Sequence, residues 1–255
     1  MTALEANLRS VQERIAAAAK RAGLDPVGVT LVAVTKTQPT EVIRAAYDLG
    51  LRHFGENRVE EAEAKVGELP PDITWHMIGH VQSRKAERAA SLFHVVHSVD
   101  SVKLAQRLER ASAARAKPLL VLLELNVSGE AGKYGFPAER WAEDTAQGAG
   151  AFTGQGAALL AAIAEIAALP HLQVQGLMTM APIVADPEQA RPVFARVRQL
   201  RDELSAAFPH VHWPHLSMGM TDDFEVAVEE GATLVRIGRA IFAPDLPSWC
   251  QIRTP

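Results

Sequence analysis

The chain has 255 residues, 26 Lys and Arg against 30 Asp and Glu, and a formal charge of −4. That length fits one large α/β domain or two small ones, and 48% hydrophobic residues exclude a disordered chain. The mildly acidic balance argues against nucleic-acid binding by bulk positive charge. A lone cysteine, Cys250, excludes an internal disulfide and a cysteine-based zinc or iron–sulfur site.

The first segment has Leu4, Leu8, Val11 and Ile15 at helical spacing, with Thr2 and Glu5 placed as a capping box and Gly23 as the stop. Charges interrupt its apolar residues, so it is no signal peptide. No run approaches the roughly 20 apolar residues of a membrane span. A cytoplasmic protein is expected, which the cysteine usage suits.

Next comes VTLVAVTK (29–36), β-branched and continuously apolar, as in a parallel strand buried on both faces. A helix at 40–49 follows, then strand 51–54 and helix 59–66. Strand 73–78 precedes helix 84–92, and strand 93–98 precedes helix 100–114. The last strands are 118–127, 172–178, 215–218 and 233–237, with helices at 187–208 and 221–230. Eight strands alternating with helices predict a single (β/α)8 TIM barrel with an extra N-terminal helix. An open doubly wound sheet is the rival, but it would carry a glycine-rich loop after its first strand, where this chain has TKTQPT. One stretch, 137–157, breaks the rhythm. Its AQGAGAFTGQGA reads as a mobile insertion, either a lid or a tolerated loop.

Barrel chemistry sits at the C-terminal ends of strands. Lys36 continues an apolar β run, and partial desolvation at the mouth would favour a neutral, nucleophilic amine; the alternative is a lysine reaching out to solvent. Gly238 allows close backbone approach to an anion, and the N–H groups of Gly238 and Arg239 are candidate phosphate donors. Ser217 adds a hydroxyl, and Gly219 gives room beside it. Arg236 stands in an otherwise apolar strand, so it requires an acceptor or an anion to offset its burial, a salt bridge to a neighbouring carboxylate being the plain structural case. Nine histidines invite a metal reading, but no His-X-His ends the first strand, so no metal is expected. His76 reads as a satisfied core residue, His94 and His97 as ordinary strand residues, and His80 as a group within reach of a ligand.

The stretches VAVTKTQP (32–39), HFGENRVEE (53–61), WHMIGHVQSRK (75–85), HSVDS (97–101), LELNVSGEAGKYG (123–135), QGLMTMAP (175–182) and LSMGMTDDFEVAVEEGATLVRIGRAIFAP (216–244) fall in the order of one family. The chain resembles the YggS/PROSC-type pyridoxal 5′-phosphate (PLP) homeostasis proteins over nearly its whole length. The resemblance implies an alanine-racemase-like barrel of the fold type III PLP class. It implies PLP held as a Schiff base on Lys36, with Asn57 beside it. It places the phosphate on Ser217, Gly238 and Arg239, and Arg236 opposite the pyridine nitrogen, which weakens PLP as an electron sink. Arg84 and Thr221 depart from the usual residues at their positions.

Related racemases need a second base, a tyrosine from a separate β-rich domain. About 18 residues follow the eighth strand, so no such domain is expected. Of the two tyrosines, Tyr47 falls in the first barrel helix and Tyr134 after strand five. The expectation is therefore a monomer that buffers PLP or delivers it to apo PLP-dependent enzymes. The alternative is a PLP-dependent amino-acid racemase with another second base.

Overall fold

A computed structural model describes residues 2–141 and 154–243. It opens on helix α1 (Ala3–Arg21), then β1 (Thr30–Val34), α2 (Thr40–Asp48), β2 (His53–Glu56), α3 (Val59–Val66), β3 (Thr74–Met77), α4 (Ala86–Leu92), β4 (Val95–Val99), α5 (Val102–Ser112) and β5 (Leu119–Asn126). The chain continues through β6 (Phe136–Pro137), α6 (Gly154–Ala167), β7 (Leu172–Met178), α7 (Arg191–Ala207), β8 (His215–Ser217), α8 (Phe224–Glu229), β9 (Leu234–Ile237) and α9 (Arg239–Phe242). Strand order runs β4-β3-β2-β1-β9-β8-β7-β5, and β4 pairs with β5 to close the ring. All these pairings are parallel. This is the predicted eight-stranded TIM barrel, and closure leaves no sheet edge open. The two-residue β6 joins β5 outside the ring, Phe136 opposite Leu125.

The capping box at α1 is formed: Glu5 N–H donates to Thr2 Oγ1 at 3.2 Å and Thr2 N–H to Glu5 Oε2 at 3.3 Å. Leu8, Val11, Ile15, Ala18 and Ala19 are buried on one face, each large one contributing roughly 1.5–3 kcal/mol. That face lies on α8 and α9. Arg14 pairs with Glu225 at 2.8 Å, and Asn7 Nδ2 donates to the carbonyls of Ile241 (3.2 Å) and Ala243 (3.1 Å).

The second strand begins two residues later than its sequence pattern suggests. Gly50, at φ +98°, closes α2 with a Schellman turn: Leu51 N–H reaches Ala46 O (3.2 Å) and Gly50 N–H reaches Tyr47 O (2.9 Å). Those amides are thereby unavailable to the sheet. The strand instead runs on through Gly55 and the buried Glu56, a charged residue that masks the β pattern. Within 137–157, Gly154–Ala157 open α6 as regular helix and do not belong to a loop. Residues 142–153, the body of the expected insertion, lie outside the described residues, as does Cys250.

Apolar side chains between strands and helices form one continuous core. Inside the ring Val32, Leu122, Met178 and Leu234 make a second, smaller cluster. Polar side chains occupy the rest of the interior, and they build the site.

Candidate functional site

Lys36 lies two residues beyond β1, at the C-terminal mouth. The expected partial desolvation is not met: the residue is exposed, and no hydrogen bond or ion pair engages its amine among the described residues. The next residue, Thr37, has φ +65°. A β-branched residue is strained there, and its N–H is held by Glu61 Oε2 at 3.2 Å. Beneath it lies a buried cluster. Lys65 Nζ donates to Thr35 O (2.9 Å) and Glu56 Oε1 (2.8 Å), and Thr35 Oγ1 donates to the same carboxylate oxygen at 2.7 Å. Burial raises the Glu56 carboxyl above its ordinary range, opposed by Lys65 and Thr35. The backbone leading to Lys36 is thus fixed while its side chain is free.

Asn57 follows β2, and its Oδ1 is buried without a partner. A Cβ on Gly79 would come within 2.3 Å of the Asn57 carbonyl oxygen, so only glycine after β3 lets that loop close over Asn57.

Arg236 is 4% exposed. Of the alternatives left open by its sequence position, hydrogen-bond acceptors hold it, and they are neutral oxygens instead of a carboxylate. Nη1 donates to Ser217 O (2.7 Å) and Ser217 Oγ (2.6 Å), and Nη2 donates to Thr179 O (2.9 Å). Three neutral-acceptor bonds leave capacity in a guanidinium with five donors. Burial pushes its pKa down to about 10, although Asp223 and Glu124 pull the other way. It remains cationic at neutral pH.

Ser217 is fully buried and its Oγ also contacts His97 Nδ1 at 2.8 Å. Its hydroxyl oxygen is therefore engaged in the barrel interior, by Arg236 and His97. The hydroxyl that does sit at the Gly238–Ala240 turn is that of Thr221, whose Oγ1 accepts from Ala240 N–H at 3.5 Å. The family departure at this position hid it from sequence reasoning. Gly219 also has a different task from the one expected. At φ +92° its Cβ would meet Ala227 Cβ at 2.6 Å, so it is needed for a left-handed turn packed on α8. Gly238 precedes α9, and a Cβ there would press on Val34 O at 3.1 Å, beside the strand that leads to Lys36. The Arg239 side chain is directed outward to Asp222 (2.5 Å).

Glu124 escaped notice in the sequence, although an acid inside LLVLLELN was the available signal. It is 3% exposed, its Oε2 has no partner, and burial, with Asp100 nearby, raises its pKa to about 7 against the pull of Arg236. His80, within reach of a ligand by its sequence position, pairs with Asp100 at 3.0 Å and stacks on Tyr134 with ring centroids 3.8 Å apart. Tyr47 donates to Asp72 on the outside of the barrel. Among the described residues no group of three or more His, Cys, Asp or Glu is placed to hold a metal ion, and no helix is long and apolar enough to cross a membrane.

The parallel barrel, with a lysine after its first strand and an arginine in its last, is of the alanine-racemase type. The family model for the N-terminal domain of alanine racemase matches residues 2–245. An alanine racemase from Corynebacterium glutamicum shares the fold at 16% identity (TM-score 0.61), over 92% of this chain and 60% of that one. The pyridoxal phosphate homeostasis protein of Pseudomonas aeruginosa is 41% identical over 246 residues, 95% of this chain and 96% of that protein. PipY of Synechococcus elongatus, solved with PLP bound, is 36% identical with a TM-score of 0.74, covering 91% of this chain and all of that one. The chain belongs to the pyridoxal phosphate homeostasis protein family.

Proposed function

We propose that this protein binds PLP at the C-terminal mouth of the barrel, holds it through a Schiff base to Lys36, and buffers it or delivers it to apo PLP-dependent enzymes. The observation that carries the reading is PipY, 36% identical and solved with PLP bound. The residues here fit the group. Lys36 offers an amine that is exposed and uncommitted, as an exchangeable anchor requires. Thr221 and the backbone of Gly238 and Arg239 form the turn suited to the phosphate. Arg236 has donors to spare for the pyridine nitrogen, and Asn57, whose Oδ1 is unpartnered, has an acceptor to offer. Ser217 and Gly219 act behind this shell, Ser217 as an acceptor for Arg236 and Gly219 as the turn that positions Thr221.

When bound, PLP supplies an aldehyde that a lysine amine captures and a ring that withdraws electrons. A buried cation opposite the ring nitrogen disfavours a proton there and weakens that withdrawal. Relatives named homeostasis proteins agree with storage as the role, and the protein acts as a monomer in this reading. Racemization is the second reading, and Glu124, buried with a pKa near neutrality, is the group that favours it as a base.

The test is the visible spectrum of the protein loaded with PLP, before and after borohydride, with Lys36→Ala alongside. A yellow band abolished by borohydride in the wild type, and absent in the variant, is the expected result. A protein that cannot be loaded overturns the proposal. Turnover of L-alanine well above that of free PLP, lost in both Lys36→Ala and Glu124→Gln, would establish the racemase instead.

A further inference from the structure

Behind the site, four side chains from four strands form an unbroken chain across the barrel interior. Ser217 Oγ contacts His97 Nδ1 at 2.8 Å. His97 Nε2 contacts His76 Nδ1 at 2.8 Å, and His76 Nε2 contacts His53 Nδ1 at 3.0 Å. His76 and His97 are buried, while His53 is half-buried. It lines a cleft of about 440 Å³ at the N-terminal end of the barrel, with Gln12, Ile15, Thr30, Leu51 and Arg52. The chain therefore joins the interior side of the candidate site to the opposite face.

The chemistry of each link restricts what the chain can do. Arg236 only donates, so Ser217 Oγ accepts from it. Burial holds both His76 and His97 well below the ordinary imidazole range, and His53 below it. Each ring is then neutral at neutral pH, with one proton and one bare nitrogen. The charged and titratable neighbours reinforce this: Arg236 and His215 act on His97, and His53, His94 and His215 act on His76. His215 is itself lowered by burial and by His212. With three neutral rings bonded in series, only two arrangements satisfy every link. Either all three carry the proton on Nε2 and Ser217 donates to His97, or all three carry it on Nδ1 and the Ser217 hydroxyl is released.

We infer that His53, His76, His97 and Ser217 form a proton relay between the site and the N-terminal face. One proton delivered to Ser217 Oγ by a phosphate monoanion bound in the site displaces the hydroxyl proton to His97 Nδ1. The His97 Nε2 proton passes to His76 Nδ1, the His76 Nε2 proton to His53 Nδ1, and the His53 Nε2 proton leaves to water in the cleft. All rings are neutral before and after, and their tautomers have exchanged. The reverse order returns the proton. The inference depends on the proposed function only for the identity of the group above Ser217.

The test uses the free, full-length protein, so it stands whether or not PLP binds. Ring-nitrogen NMR of the 15N-labelled chain at neutral pH is expected to show three neutral imidazoles in one shared tautomer. A protonated ring or a mixed set overturns the relay. Exchange of the His97 ring proton with water is then compared in wild type and His53→Asn. Asparagine can replace the Nδ1 hydrogen bond but cannot take a proton on one atom and release it from another. Exchange is expected to fall by roughly a hundredfold, the low end of a positioned acid–base contribution, while the β4 amides are unchanged. Equal exchange in the two proteins reduces the chain to a structural network and overturns the inference. If His53→Asn fails to fold, the shared-tautomer result decides alone.

Discussion

Glu124 sits in an environment far from what a carboxylate prefers. Burial raises its pKa from 4.5 to about 7, and in the unfolded chain it returns to the lower value. Between those values the folded state binds more protons than the unfolded one, so this group makes stability fall as pH rises from about 4.5 to 7. Glu124→Gln is thus expected to stabilise the protein at pH 8 by up to roughly 3 kcal/mol, at about 1.4 kcal/mol per pKa unit. The gain should vanish in urea titrations below pH 4.5. An unchanged difference at both pH values would mean that the carboxyl is not desolvated. Thr37 carries its own cost, a left-handed backbone of the kind worth about 1–3 kcal/mol in a non-glycine residue. Thr37→Gly relieves it against roughly 0.5–1 kcal/mol of added chain entropy. A net rise in stability of about 1 kcal/mol is expected, together with weaker PLP loading, because Lys36 loses its fixed neighbour.

The elements are where the sequence was most readable. Apolar runs bounded by helix stops located the barrel strands, with β2 shifted by two residues because its Gly55 and Glu56 give no apolar signal. What stayed hidden was polar and internal. His53, His76 and His97 look like scattered strand residues, and only closure of the ring places them in one line. Ser217 reads as a site hydroxyl and Thr221 does not, yet the turn at Gly219 puts Ser217 inside and Thr221 at the Gly238–Ala240 turn. Gly176 shows how tightly the elements constrain the site. It lies in β7 opposite His215 of β8, at φ +142°, and a Cβ would fall 1.9 Å from His215 O. β7 leads into Thr179 and β8 ends in Ser217, the residues whose oxygens hold Arg236. Gly176→Ala should therefore cost at least about 3 kcal/mol, the upper range for overpacking, as a lower urea midpoint. It should also reduce PLP binding more than an equally destabilising change in α1 does.

At the scale of the whole molecule, the storage and delivery proposed above demand a ligand that is held firmly but can leave. The barrel supplies firmness through its closed ring and the buried Arg236. It supplies release by leaving the Lys36 amine exposed, with no partner among the described residues to sequester it. A ligand that binds only the folded state stabilises it by mass action, about 2.7 kcal/mol at a hundred times its Kd. For a domain of this size each kcal/mol moves Tm by roughly 2–4 °C. Wild-type protein with PLP at that excess should melt roughly 5–10 °C higher than without it. Lys36→Ala should lose most of the shift but keep the part due to the phosphate turn and Arg236. Pyridoxine 5′-phosphate, which lacks the aldehyde, should give wild type and variant the same small shift. Were it to stabilise wild type as much as PLP does, the covalent anchor would contribute nothing, and the exposed lysine would need another explanation.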